Sequence, residues 1–369
     1  MNQHETYMQK AYVLAQKAKG LTSPNPTVGA VLVKNGTIIG EGFHQGAGKD
    51  HAEIEALKNV HESLEGAVLY STLEPCSIQG RTPPCIHAIR ESGIKEVIIG
   101  SPDFNPKING QGIAFLQNHG ITVTQDVLKE QCVQLNEDFF TYITQARPFV
   151  NLKVAATLDG KIADENKHSK WITNEKARNH VHKLRKEADA VITGIGTILA
   201  DDPKLNIRNQ TGALNKKYRI VVLDSSLRIP LTASIFTYNS PSSICIFTTN
   251  KKDSDKEEKL KAKGVEVISF GDELNLRKVL YTLGTMSVMN VLVEGGQTIT
   301  SAFLREKFVD KAYLFYGNKI LGGQTSLSFA EHLGIKTLDD SLTLDKIAIQ
   351  QFDDTILIEG YLKNVYRTH

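Results

Sequence analysis

The sequence predicts an α/β protein of two domains, and three observations carry that expectation. Helical patterns alternate with short apolar strands up to Gln145. Arg147-Pro148 then interrupts the pattern, and a new one restarts at Phe149-Val150-Asn151-Leu152. The chain, at 369 residues, is long enough for each half to bury its own core. The predicted domains are 1–147, a three-layer α/β/α sandwich, and 148–369, a second α/β unit.

In the first domain, Met8, Ala11, Tyr12, Ala15 and Ala18 recur at helical spacing over 4–19, and Gly20 offers a stop. Val28-Gly29-Ala30-Val31-Leu32-Val33 reads as a buried strand. Asn35-Gly36 then turns the chain into Ile38-Ile39-Gly40, a hairpin. A helix over 51–60, a strand at 68–72, a helix over 83–92, a strand at 97–100 and one amphipathic helix over 127–146 follow. In the second domain, strand signals fall at Ala190-Val191-Ile192, Arg219-Ile220-Val221-Val222-Leu223, Ile244-Cys245-Ile246-Phe247 and Val291-Leu292-Val293. The charged tract 250–263 reads as a solvated helix.

A net charge of +2, from 43 basic and 41 acidic residues, excludes the strong footprint of a nucleic-acid or acidic-membrane binder. No run approaches the roughly 18 apolar residues of a membrane span. Met1-Asn2-Gln3-His4-Glu5-Thr6 lacks the basic and then apolar start of a signal peptide, so a cytoplasmic protein is expected. Four cysteines are too few for a disulfide scaffold, and Cys132 and Cys245 read as buried small hydrophobes.

The other two cysteines carry chemistry. His51-Ala52-Glu53, Glu74-Pro75-Cys76 and Pro83-Pro84-Cys85 form the H-x-E…P-C…C pattern of zinc deaminases. His51, Cys76 and Cys85 supply three ligands to Zn²⁺ and leave a fourth position for water, whereas a structural site would be closed. Glu53 is placed to carry protons from the water to a departing amine. Pro83 and Pro84 favour a helix start at Cys85, and Asp50 is a good N-cap for a helix beginning at His51. The competing reading, that Glu53 only closes a capping box on Asp50, does not account for the two cysteines with their flanking prolines.

Eight residues separate Cys76 from Cys85, where many nucleobase deaminases have two. With Pro24-Asn25-Pro26-Thr27-Val28-Gly29, Gly40-Glu41-Gly42-Phe43-His44, Thr72-Leu73-Glu74-Pro75-Cys76-Ser77 and Gly80-Arg81-Thr82-Pro83-Pro84-Cys85, the chain resembles the bifunctional riboflavin-biosynthesis deaminase–reductases. The likeness continues through the stretch from Leu152 to Ala163, Trp171-Ile172-Thr173, Asp201-Asp202-Pro203 and Leu292-Val293-Glu294-Gly295-Gly296. It implies a cytidine-deaminase-like first domain and a dihydrofolate-reductase-like second domain using NADPH. The implied substrate is a small phosphorylated pyrimidine, and family members are often homo-oligomers.

By the same resemblance, Asn25, His44, Arg81 and Thr82 would line the deaminase pocket. NADPH would meet Ala155, Trp171, Thr197, Asp201, Ser225 and the run Gly296, Gln297, Thr298, Ile299, Thr300, Ser301, Ala302. The second domain's substrate would meet Ser169, Arg185, Leu205, Arg208 and Glu294, with two arginines suited to a phosphate. Lys153 and Asp201 are the candidates for orienting or protonating the sugar imine. Read alone, Arg185 looks like part of a solvated helix face, and Gly194-Ile195-Gly196 lacks the third glycine of a Rossmann turn. The strand ending at Glu294-Gly295-Gly296 is the stronger cofactor signal.

The chain departs from the family at Asp50, at Ile78 and Gln79, and at Phe104, none of them a ligand. Three rivals remain on sequence alone. They are a nucleoside, nucleotide or tRNA deaminase with an unrelated second module, a non-catalytic nucleotide-binding protein with structural zinc, and a chain with one live domain.

Overall fold

The computed structural model describes residues 2–207, 218–240 and 243–362. The chain forms two compact units, Met1–Arg147 and Pro148–His369.

The first unit opens with α1 (Gln3–Gln16), capped by Asn2 and Glu5 in a reciprocal box. The hairpin β1 (Gly29–Lys34) and β2 (Thr37–Phe43) follows, then α2 (Ala52–Lys58), β3 (Val68–Leu73), α3 (Cys85–Glu91), β4 (Glu96–Ser101), α4 (Gln111–Asn118) and β5 (Thr122–Thr124). The sheet order is β2-β1-β3-β4-β5. β1 pairs antiparallel with β2 and β3, while β3, β4 and β5 run parallel. Gly42 lets α2 lie close on β2: an added Cβ would come within 2.3 Å of the Ala52 carbonyl oxygen. That close approach sets His51 and Glu53 over the sheet.

The single helix expected over 127–146 is two helices, α5 (Lys129–Leu135) and α6 (Glu137–Gln145). The break is Asn136, fully buried, whose side chain accepts from the Thr27 N–H at 2.7 Å and donates to the Thr27 carbonyl at 3.0 Å. A side-chain amide that completes another segment's backbone pairing leaves the helix to do so.

The second unit contains β6 (Phe149–Thr157), β7 (Lys161–Ala163), α7 (Glu175–Glu187), β8 (Ala190–Gly194), α8 (Ile195–Asp201), β9 (Arg219–Leu223), α9 (Ser234–Tyr238) and β10 (Ile244–Thr248). Then come α10 (Ser254–Ala262), β11 (Glu266–Ser269), α11 (Leu276–Thr285), β12 (Asn290–Val293), α12 (Gln297–Arg305), β13 (Lys311–Gly317), β14 (Leu327–Ser328), β15 (Leu344–Phe352) and β16 (Thr355–Leu362). Nine strands form one sheet, ordered β11-β10-β9-β8-β12-β6-β13-β16-β15. The strands from β11 to β13 are parallel, and β16 and β15 close the end antiparallel. Alternate residues of β8 feed opposite cores, Ile192 with α11 and α12 on one face and Val191 with α7 and α8 on the other. Burial on both faces explains why these strands read as unbroken apolar runs.

Candidate active sites

In the first unit, α2 begins at Ala52 with His51 as its N-cap, and α3 begins at Cys85 behind Pro84. Asp50, expected as the cap, instead pairs with Lys58, and no side chain caps α2. The capping-box reading of Glu53 falls with it. His51 Nδ1 lies 3.1 Å from Cys85 Sγ and 3.4 Å from Cys76 Sγ, and the sulfurs are 3.5 Å apart. Among the described residues these are the His, Cys, Asp and Glu side chains whose donor atoms group closely enough to hold a metal. One imidazole nitrogen and two sulfurs fit Zn²⁺. The Cys76 thiol is pulled down to about 4 by the hydrogen bond from Cys85, with His51 helping; the same bond, with burial, raises Cys85. His51 Nε2 faces Thr82 Oγ1 at 3.1 Å, so with Nδ1 turned to the sulfurs the hydroxyl accepts the Nε2 hydrogen and fixes the tautomer.

Glu53 is buried, with Oε2 3.6 Å from Cys85 Sγ. Burial first, and then the charge of Cys76, raise its carboxyl to about 7, where it can both take and give a proton near neutrality. A cavity opens over Glu53 and Cys76, and Asn25, His44, Arg81 and Thr82 all line it. His44 is buried at 2 % exposure, with Nε2 3.0 Å from Asn25 Nδ2 and Nδ1 2.9 Å from the Asp50 carbonyl oxygen.

Three residues of this site were missed in the sequence. Asp103 and Asn105 line the cavity, and burial raises the Asp103 carboxyl to about 7. Glu74 holds their segment in place: Oε2 accepts from the N–H groups of Asp103 and Gly110, and Oε1 from those of Gly112 and Ile113. Its position beside a ligand in Glu74-Pro75-Cys76 was the available signal.

In the second unit, Lys153 on β6, Arg185 on α7 and Glu294 after β12 meet. Arg185 grips Glu294 with two bonds, Nε at 2.5 Å and Nη2 at 3.0 Å, and Nη1 donates to the Asn206 carbonyl. The solvated-face reading of Arg185 fails, since its side chain is 15 % exposed. Its fork, expected on a phosphate, is taken by Glu294. Burial pushes the Glu294 carboxyl up, but Arg185 and Lys153 overcome it and hold it at about 2. Lys153 Nζ lies 3.7 Å from Glu294 Oε2, and burial, with Arg185, lowers the lysine's affinity for its proton. Asp201 has a separate partner, accepting from Ser169 Oγ at 2.8 Å.

Thr197, Ser225 and Gly296 follow β8, β9 and β12 at the carboxyl ends of the parallel strands, where open α/β sheets take dinucleotides. Gly296 is the N-cap of α12 with no side chain over it, its N–H donates to Thr197 Oγ1, and an added Cβ would sit 3.7 Å from that oxygen. Trp171 is 59 % exposed with the Arg178 guanidinium 4.3 Å over its ring. Bare glycine, helix start and open indole fit NADPH. Ala155 faces the α7 side of the sheet, and Leu205 accepts from Tyr218 through its carbonyl. Of the segment from Gly296 to Ala302, Thr300 and Ser301 are buried, and Ser301 accepts from the Glu331 N–H. Arg208 lies outside the described residues.

Residues 1–101 match the family model of the cytidine and deoxycytidylate deaminase zinc-binding region, and residues 148–358 that of the RibD C-terminal domain. The chain is 44% identical to the riboflavin biosynthesis protein RibD of Aquifex aeolicus, over 96% of this chain and 97% of that protein. It superposes on RibD of Acinetobacter baumannii with a TM-score of 0.87 at 35% identity, covering 98% of this chain and 99% of the other. A diaminohydroxyphosphoribosylaminopyrimidine deaminase/5-amino-6-(5-phosphoribosylamino)uracil reductase from Thermotoga maritima gives 0.84 at 37% identity, with the same coverage. Fold and sites define the class: a zinc deaminase of cytidine-deaminase-like fold joined to an NADPH-dependent reductase of dihydrofolate-reductase-like fold. The chain belongs to the RibD family, bifunctional enzymes of riboflavin biosynthesis.

Proposed function

We propose that the first domain, 1–147, deaminates 2,5-diamino-6-ribosylamino-4(3H)-pyrimidinone 5′-phosphate. The second, 148–369, then reduces the ribosyl group of the product, giving 5-amino-6-(5-phosphoribitylamino)uracil. The observation that carries the deaminase step is buried Glu53 beside the grouped His51, Cys76 and Cys85 donors, in a cavity that His51, Glu53 and Cys76 line.

Zinc, when bound by these donors, makes water nucleophilic near neutral pH. Glu53 takes the protons that the water gives up and delivers one to the ring nitrogen and one to the departing amine, so that ammonia leaves and a carbonyl remains beside a ring N–H. Asn25, Asp103 and Asn105 offer polar groups to the pyrimidine, and Arg81, exposed at the rim, suits the phosphate. In the second site NADPH supplies hydride. Lys153, with its proton loosened by burial and its position held by Glu294, protonates the substrate. Thr197, Ser225, Trp171 and the start of α12 hold the cofactor.

The protein is further proposed to be a cytoplasmic homo-oligomer. No described helix is long and apolar enough to cross a membrane. On β15 every residue from Asp345 to Gln351 is exposed, Ile349 at 70 %, a surface that a second copy would cover. Light scattering reads the oligomeric state.

The test supplies the diaminopyrimidinone ribotide with and without NADPH, following ammonia release and NADPH oxidation. Ammonia in both arms and oxidation only after deamination are expected. Zinc-loaded protein that gives neither signal would sink the reading.

A further inference from the structure

We infer that His44 is a positioning residue, which holds the Asn25 amide with its oxygen turned into the deaminase cavity as an acceptor for an N–H of the pyrimidine. This rests on the deaminase reading above and adds to it the polarity of one wall.

The Asp50 carbonyl can only accept, so His44 Nδ1, 2.9 Å away, carries a hydrogen. The ring is buried. The atom beside Nε2 is an amide nitrogen, which can only donate, so Nε2 offers it a lone pair. The group 3.0 Å from that lone pair is Asn25 Nδ2, which donates to it. An amide that gives its nitrogen to His44 turns its oxygen the other way, and Asn25 lines the cavity. The Asn25 backbone is also pinned, its N–H donating to the Thr22 carbonyl at 2.8 Å. What remains free is the amide flip, and His44 decides it.

An acceptor at this point favours a ring N–H or an amino group and repels a carbonyl. With both nitrogens engaged, His44 acts on the substrate only through Asn25.

Two measurements on the full-length, zinc-loaded protein test this. Long-range ¹H–¹⁵N correlation on histidine-labelled enzyme, with the His44 signal assigned by its loss in His44→Gln, should show hydrogen on Nδ1 and none on Nε2. Hydrogen on Nε2 overturns the inference, because Asn25 would then have to present its oxygen to His44. Deamination kinetics of Asn25→Ala, His44→Ala and the double variant should each show KM raised about tenfold with kcat less affected, the double no worse than either single. An additive double means that His44 meets the substrate independently, and the idea fails. His44→Gln, able to accept at the Nε2 position, should recover most of the KM; no recovery at normal zinc content and normal reductase turnover counts against it. If wild-type enzyme releases no ammonia, the deaminase reading is lost, while the tautomer still decides the His44–Asn25 link.

Discussion

Burial and the charge of Cys76 together set the proton affinity of Glu53. The negative Cys76 helps push Glu53 up, whereas His51 pulls it down, and burial tips the balance upward to about 7. Glu53→Gln keeps the shape and removes the proton carrier. It should cost ammonia release about 10²–10⁴-fold in kcat. Zinc content and NADPH oxidation on the deaminated intermediate should stay unchanged. Trp171, proposed to meet the cofactor, is the sole tryptophan, so its emission tests that contact. NADPH titration should quench its emission by energy transfer, and Trp171→Phe should abolish the signal. A quench-free titration with full reductase activity would place the cofactor elsewhere. The residues that chemistry marks, His51, Cys76, Cys85 and Glu53, were legible because their pattern is local. His44 acting through Asn25 was not, since nothing in a sequence states which side-chain nitrogen faces which oxygen.

Elements are held to the sites by buried carboxylates. Glu74 ties the segment from Asp103 to Ile113 beneath the cavity with four backbone N–H groups. Glu74→Gln would turn an amide NH₂ toward donors, leaving buried N–H groups without partners. A loss of about 2–4 kcal/mol in denaturant unfolding of the deaminase unit is expected. Glu294 does the same between α7 and β12. Its carboxyl is held at about 2 against an ordinary 4.5, so its contribution is complete above pH 4.5 and is lost as pH falls through 2. Arg185→Met leaves that buried charge with Lys153 as its remaining partner and should destabilise the second unit by about 3 kcal/mol. It should also flatten the acid limb of stability against pH. Read alone, Arg185 went to a solvated helix face, and the resemblance gave it to the substrate, because a helical wheel cannot show that Glu294, 109 residues away, reaches it. The single helix read over 127–146 failed for a like reason, since Thr27 claims Asn136.

At the scale of the whole molecule, each unit has its own sheet and its own core. Separate chains of 1–147 and 148–369 should therefore fold alone. The first is expected to release ammonia from the ribotide, and the second to oxidise NADPH with the deaminated intermediate. Failure of either piece to fold, read by a cooperative melt, would mean that the units depend on each other. Chelation with a strong zinc ligand should abolish ammonia release in the intact chain and spare NADPH oxidation on supplied intermediate, with zinc restoring the first activity. Loss of both would couple the metal to the second unit.

The alternation of strands and helices, the boundary near Pro148 and the pattern that marks His51, Cys76, Cys85 and Glu53 follow from the sequence alone, because each is written in neighbouring residues or in a regular period. Tertiary structure decided the rest: which helix end His51 caps, that Thr82 steadies its ring, that Glu74 carries a loop, and that Arg185 turns inward to Glu294. These are contacts between segments far apart in the chain. Burial and geometry set them, and neither is a property of any one stretch.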